Sequence, residues 1–171
     1  MDTDIEQLAA RLGHLEDLEA IRATWLQYCN RLDLEDFEAL ADVFTADAVL
    51  EVDGLSPGLD GRYHQRRSII DDFYAATGTS DSSEATAGFM TGHLSTNMQI
   101  DLDGDEATTL AYFFEIVDND LVLIGTYQHR LRRDPDRWRI AFLRISVRYR
   151  ARLETGRVRG QPLTGIVAKP V

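Results

Sequence analysis

Thiol chemistry has almost no place in this chain, because Cys29 is its only cysteine. One thiol forms neither an internal disulfide nor a multi-thiolate zinc site. On a helix among apolar neighbours it reads as a small buried residue, not a catalytic nucleophile. Long apolar runs are missing too: none approaches the roughly 18–20 residues that span a bilayer. The opening MDTDIEQLAARLGHLED is acidic and helical in pattern. It lacks the basic start and short apolar core of a signal peptide, so a cytoplasmic protein with no membrane partner is expected. Positive charge is scarce, with 18 basic residues against 29 acidic and a formal charge of −11. Phosphate backbones reward a basic footprint, so a nucleic-acid partner is disfavoured. The arginines that exist gather late, from Arg130 to Arg152, and alternate along two strands as a solvated sheet face would. His14, His64, His93 and His129 are scattered without metal-ligand spacing. GxGxxG, Walker and HExxH motifs are all absent. The expectation is activity with neither a metal nor an organic cofactor.

What the chain does have is a change of rhythm. Its 171 residues, 44% hydrophobic and 27% charged, suit one globular core. Ile5, Leu8, Leu12, Leu15, Leu18, Ile21 and Trp25 recur at helical spacing, predicting a helix over 4–31 with Gly13 as a bend or joint. A shorter helix is expected over 34–44, with Phe37, Leu40, Ala41 and Phe44 inward. A strand over 47–53, a turn at Gly54–Gly58 and a third helix over 67–76 follow. Residues 77–88 are small and polar and read as a mobile loop, a candidate lid. Beyond them lie long strands at about 89–102, 106–117, 121–133 and 137–150, separated by turn-forming Asp, Asn, Gly and Pro. Helices first and an antiparallel meander last means α+β. The domain is placed at 1–151. The Gly- and Pro-containing tail 152–171 is expected to pack on it or on a neighbouring subunit.

Local wording sharpens this. Tyr28-Cys-Asn-Arg-Leu-Asp33, then Asp36-Phe37 and Leu40-Ala-Asp-Val-Phe44-Thr-Ala-Asp47, resemble the opening of the SnoaL-like branch of the NTF2-like superfamily. Gly61-Arg62, Gly92-His93-Leu-Ser-Thr-Asn97, Asp103-Gly-Asp-Glu-Ala107, Gly125-Thr-Tyr127 and Trp138-Arg-Ile140 continue the resemblance over roughly 5–150. It implies a cone-shaped α+β barrel, with helices packed on a curved, mainly antiparallel sheet around a pocket. Relatives of this type include scytalone dehydratase-like and bile-acid dehydratase-like lyases, a dehydrochlorinase and polyketide cyclases. In the lyases an Asp at the end of the first helix orients a His on the first long strand. Those positions here are Asp33 and His93, and a tyrosine five residues before the Asp is Tyr28. The chain departs from scytalone dehydratase-like enzymes in having no tyrosine over 47–53 and no histidine over 106–117.

Each candidate has a plainer reading. Asp33, with Asp36 three places on, also fits a helix N-cap. His93 shares its strand parity with Ser95, Asn97 and Gln99, which suits a polar outer face as well as a pocket wall. Tyr28 continues an apolar stripe, and Tyr127 suits cross-strand packing. His129 shares the parity of Tyr127 and can enter the same cavity. Glu115 reads more readily as the rim end of a strand than as a buried acid. Trp25, Val52, Phe73 and Phe113 are expected to line an apolar pocket for a polycyclic or polyketide-like substrate. The resemblance then implies a dehydratase-, cyclase- or isomerase-type lyase. In it, His93, held by Asp33, takes a proton α to a carbonyl whose oxygen Tyr28 or Tyr127 hydrogen-bonds. The alternative is a non-catalytic ligand-binding protein, or the small subunit of a ring-hydroxylating dioxygenase. In either case the open sheet predicts a homo-oligomer, a trimer or dimer.

Overall fold

The computed structural model describes residues 2–78, 92–117 and 121–152. The proposed lid over 77–88, past residue 78, and the tail from 153 onward therefore lie outside the described residues. Helix α1 runs Asp2–Asp33 as one element, and Gly13 neither ends it nor divides it. Its second half buries Ile21, Trp25, Tyr28 and Cys29. There the Thr24 hydroxyl lies 2.9 Å from the Trp138 carbonyl, tying helix to sheet.

The second helix is shorter than the sequence pattern suggests. Helix α2 spans only Phe37–Ala41, capped by Asp36, whose Oδ1 accepts from the Ala39 amide at 3.1 Å. Asp33 is not the cap. Glu35, at φ 54, turns the chain between the two helices. Phe44, expected on the helix, instead opens strand β1 (Phe44–Asp53), because β6 claims this backbone: the Ile140 amide donates to the Val43 carbonyl at 2.9 Å. Strand β2 (Gly61–His64) pairs antiparallel with β1 and was not anticipated. Helix α3 then covers Arg66–Ser68, Ile69–Tyr74 and Ala75–Gly78 without a break, its middle six residues wound as a π-helix. Its inward side chains are Ile69, Ile70, Phe73 and Tyr74.

Strands β3 (Gly92–Asp103), β4 (Glu106–Val117), β5 (Leu121–Arg133) and β6 (Trp138–Arg152) complete one sheet in the order β2-β1-β6-β5-β4-β3. Among the described strands only β1 and β6 run parallel. The sheet is curved but not closed, with β2 and β3 as its edges. Register shifts in the β1–β6, β3–β4 and β5–β6 pairs mark bulges, each adding local bend and twist. Gly104, at φ 59, supplies the left-handed residue that the two-residue β3–β4 turn needs. Helices α1 and α3 cover the inner face, and Trp138, Tyr28, Tyr74, Tyr127 and Phe44 are the largest side chains fully enclosed there.

The late arginines meet the chain's own acids. Arg132 pairs with Asp47 at 2.6 Å, Arg133 bridges Asp17 and Asp105, and Arg139 contacts Asp42, Asp134 and Asp136. Arg130 instead lies over the Phe142 ring, 4.9 Å from its centroid. Among the described residues no helix is long and apolar enough to cross a membrane.

Candidate active site

Three titratable side chains converge where the end of α1 meets the sheet edge. Asp33 is the last residue of α1, His93 the second of β3, and Glu115 sits directly across from His93 on β4. A carboxylate at a helix C-terminus faces the negative end of the helix dipole, an unfavourable place unless donors meet it. Here His93 supplies them. Its backbone amide donates to both oxygens of Asp33, at 3.2 and 3.1 Å, and its Nδ1 lies 2.6 Å from Oδ1. The amide fixes the carboxylate and the carboxylate fixes the ring, so Nδ1 carries a proton and Nε2 points away from α1. Nε2 in turn lies 3.4 Å from Glu115 Oε1. The side chains of His93, Glu115 and Asp33 are 7%, 15% and 26% exposed, a gradient from enclosed ring to accessible carboxylate.

Local backbone geometry makes this meeting possible. Counting back from the Gly104 turn, an undisturbed β3–β4 ladder would set His93 opposite Ile116. The bulge between Thr96 and Gln99 moves the register by one, so Glu115 takes that place. Asn97 sits there at φ 55, a left-handed conformation that asparagine tolerates. The same bulge resolves the parity question. His93 and Ser95 before it, and Met98, Ile100 and Leu102 after it, all turn away from full exposure, while Leu94, Thr96 and Gln99 are exposed.

Burial opposes charge on His93, but the hydrogen bond from Asp33 and the charges of Glu115 and Asp33 outweigh it, raising the imidazole above its usual value. Glu115 is also raised: burial penalises its carboxylate and Asp33 repels it, against the attraction of His93. The two groups form a coupled pair able to trade one proton. Burial pushes the Cys29 thiol up as well, which removes it as a nucleophile at neutral pH.

The remaining sequence-predicted residues lie deeper. The Tyr28 hydroxyl is 2.8 Å from that of Tyr74, and its ring stands 6.5 Å from His93 and 6.1 Å from Tyr127. Burial holds all three phenols neutral, as hydrogen-bond donors. Phe113 packs 4.4 Å from Tyr127, and Trp25 stacks on Tyr28 at 4.8 Å. Phe73 lies 4.8 Å from Tyr74, and Val52 is buried within the same core. His129 stands apart from His93, 4.4 Å from Trp25, with Nδ1 2.5 Å from the Thr109 hydroxyl and, among the described residues, no partner for Nε2. A narrow gap lined by Ile21, Trp25, Met98, Thr109, His129, Leu131 and Ile140 adjoins it, too tight for a water molecule. His64 is exposed, and among the described residues no three His, Cys, Asp or Glu side chains are grouped to hold a metal ion.

Two residues escaped the sequence reading. Tyr74 was seen only as an inward residue, because nothing in sequence places its hydroxyl against that of Tyr28. Glu115 was read as a rim residue; its position opposite His93 follows from the bulge, for which Asn97 was the available signal.

Helices packed on a curved open sheet give this chain the NTF2-like fold. Residues 13–144 match the SnoaL-like domain family, and the chain belongs to it. Solved structures share the fold. A candidate scytalone dehydratase of Novosphingobium aromaticivorans superposes with TM-score 0.66 at 18% identity, covering 82% of this chain and 90% of that one. A candidate aromatic ring hydroxylase of the same organism gives TM-score 0.65 at 21% identity, over 81% and 94%. A hexachlorocyclohexane dehydrochlorinase gives 0.64 at 17% identity, over 94% and 98%. No curated protein matches the chain in sequence.

Proposed function

We propose that this protein is a cofactor-independent lyase or isomerase whose base is His93, acting on a hydrophobic polycyclic or polyketide-like ketone. The observation that carries the reading is the 2.6 Å contact between His93 Nδ1 and Asp33 Oδ1. Sixty residues of sequence separate the two, so no local turn or cap accounts for their meeting. A carboxylate on Nδ1 fixes the tautomer and raises the basicity of Nε2, which then takes a proton α to the substrate carbonyl. Tyr28 or Tyr127, kept neutral by burial, donates to the oxygen that becomes enolate-like. Departure of a hydroxyl from the neighbouring carbon completes a dehydration; return of the proton elsewhere completes an isomerisation. A candidate dehydratase and a dehydrochlorinase among the structures of this fold are named for eliminations, which accords with this chemistry.

The test is a crystal soaked with a panel of polycyclic ketones. The expected result is a bound ketone whose α-carbon lies about 3–3.5 Å from Nε2, as a near-attack geometry requires. A ketone bound with its carbonyl away from both His93 and the tyrosines would refute it. The second reading, a binding module on the same scaffold, draws on the packing of Trp25, Phe73 and Phe113 into the core, and the same crystals separate the two.

A further inference from the structure

We propose that Glu115 is a second catalytic acid–base residue, which protonates the departing oxygen while His93 takes the proton from carbon. This rests on the reading of His93 as a base. Its grounds are geometric. Glu115 is the cross-strand partner of His93, its Oε1 faces the one imidazole nitrogen that Asp33 does not hold, and the two lie 3.4 Å apart. That spacing is longer than a tight hydrogen bond, leaving both groups able to turn toward a substrate beside them. A rim carboxylate would be solvated, yet this side chain is 15% exposed.

The step balances without any co-reactant. His93 Nε2 takes the α-proton, and the C–H electron pair becomes the new C=C bond. The C–O bond breaks with its pair on oxygen, and the Glu115 carboxyl gives its proton to that oxygen, releasing water. The site is left with an imidazolium facing a carboxylate. Transfer of the Nε2 proton to Glu115 restores the starting state.

The surroundings suit such an exchange. Asp33 and Cys29 face the pair from α1, Tyr74 from α3 and Tyr127 from β5. Burial keeps the thiol and both phenols neutral, so Asp33 is the other charge acting on Glu115. The working form of the pair holds a single proton. It gains a second as pH falls through the Glu115 value, which burial raises above that of an ordinary glutamate. It loses its only one as pH rises through the raised His93 value. The rate of water elimination against pH is therefore a bell with both flanks displaced upward.

The experiment compares a bicyclic β-hydroxy ketone with its β-acetoxy counterpart, following enone absorbance in the wild type, Glu115→Gln and His93→Ala. Hydroxide needs a proton to leave and acetate does not. Glu115→Gln is expected to slow loss of water by about 10²–10⁴-fold. It should slow loss of acetate by less than about 10-fold, and acetate loss, which needs no acid, should rise with pH in a single limb in the wild type and the variant alike. His93→Ala abolishes both reactions. Glu115→Asp, which keeps the acid but shortens its reach, recovers part of the water reaction, and far-ultraviolet circular dichroism checks that each variant folds. Equal effects of Glu115→Gln on the two leaving groups, with His93→Ala silent, overturn the role of Glu115 alone. A wild type inert toward both ketones overturns the reading of His93 and this proposal with it.

Discussion

Burial acts on both inward histidines, but only His93 has carboxylates beside it, so the two titrate on opposite sides of the usual imidazole range. His129 is enclosed and hydrogen-bonded to Thr109, and burial pushes its pKa down to about 3. The unfolded chain takes up a proton on this residue near its ordinary value of 6.5, whereas the folded chain does not until about 3. His129 therefore contributes stability that is complete above 6.5 and lost as pH falls from there toward 3. His93 has the opposite sign: its raised value favours the folded state below 6.5, a contribution lost as pH rises through that raised value. His129→Leu should narrow the gap between urea midpoints at pH 7 and pH 4, and an unchanged gap would contradict the burial argument. At this scale sequence was a partial guide. Asp33 and His93 were singled out by resemblance, because strand parity could not say which way His93 points. The helix-cap reading of Asp33 failed because Asp36, three residues on, holds that position. Glu115 was weighed toward the rim, since period-2 reasoning has no term for a bulge.

Elements were more legible where a periodic stripe coincided with burial, as in the second half of α1 and in β4–β6. They were less so where a neighbour's backbone decided the outcome. Pairing of β1 with β6 converts Phe44 from helix to strand, and the four residues of β2 are too few to carry a pattern of their own. Strand β5 shows why one small residue matters. A Cβ on Gly125 would lie 2.1 Å from the Ser146 carbonyl and 2.6 Å from the Phe113 ring, so the strand can approach β6 and Phe113 only without a side chain there. Gly125→Ala should lower stability by about 1–3 kcal/mol, the usual cost of overpacking a tight core, read as a lower urea midpoint. It should also disturb turnover, because Phe113 packs on Tyr127. A midpoint equal to that of the wild type would show that β5 and β6 can separate freely.

For the molecule as a whole, the outer face of the sheet raises a question that the inner face does not. Leu94, Phe114, Ile124 and Tyr149 are register partners in one row across β3, β4, β5 and β6, and all are exposed, Leu94 by 63% and Tyr149 by 55%. A continuous exposed apolar row is suited to contact with a like surface, so a homodimer or trimer through this face is expected. Leu94→Lys with Tyr149→Glu should give a monomer by light scattering, and a wild type already monomeric at micromolar concentration would contradict this. The fold class was the most legible feature of all, because element order and turn chemistry survive errors of a few residues at each boundary. The central claim, that Asp33 and His93 form a working base, is tested most directly by α-proton exchange of 1-tetralone in D2O, followed by proton NMR. This ketone has no leaving group, so exchange reports proton abstraction alone. The expected result is enzyme-dependent exchange that His93→Ala reduces to the buffer rate and Asp33→Asn slows by about 10²–10⁴-fold. Exchange at the wild-type rate in both variants would contradict it.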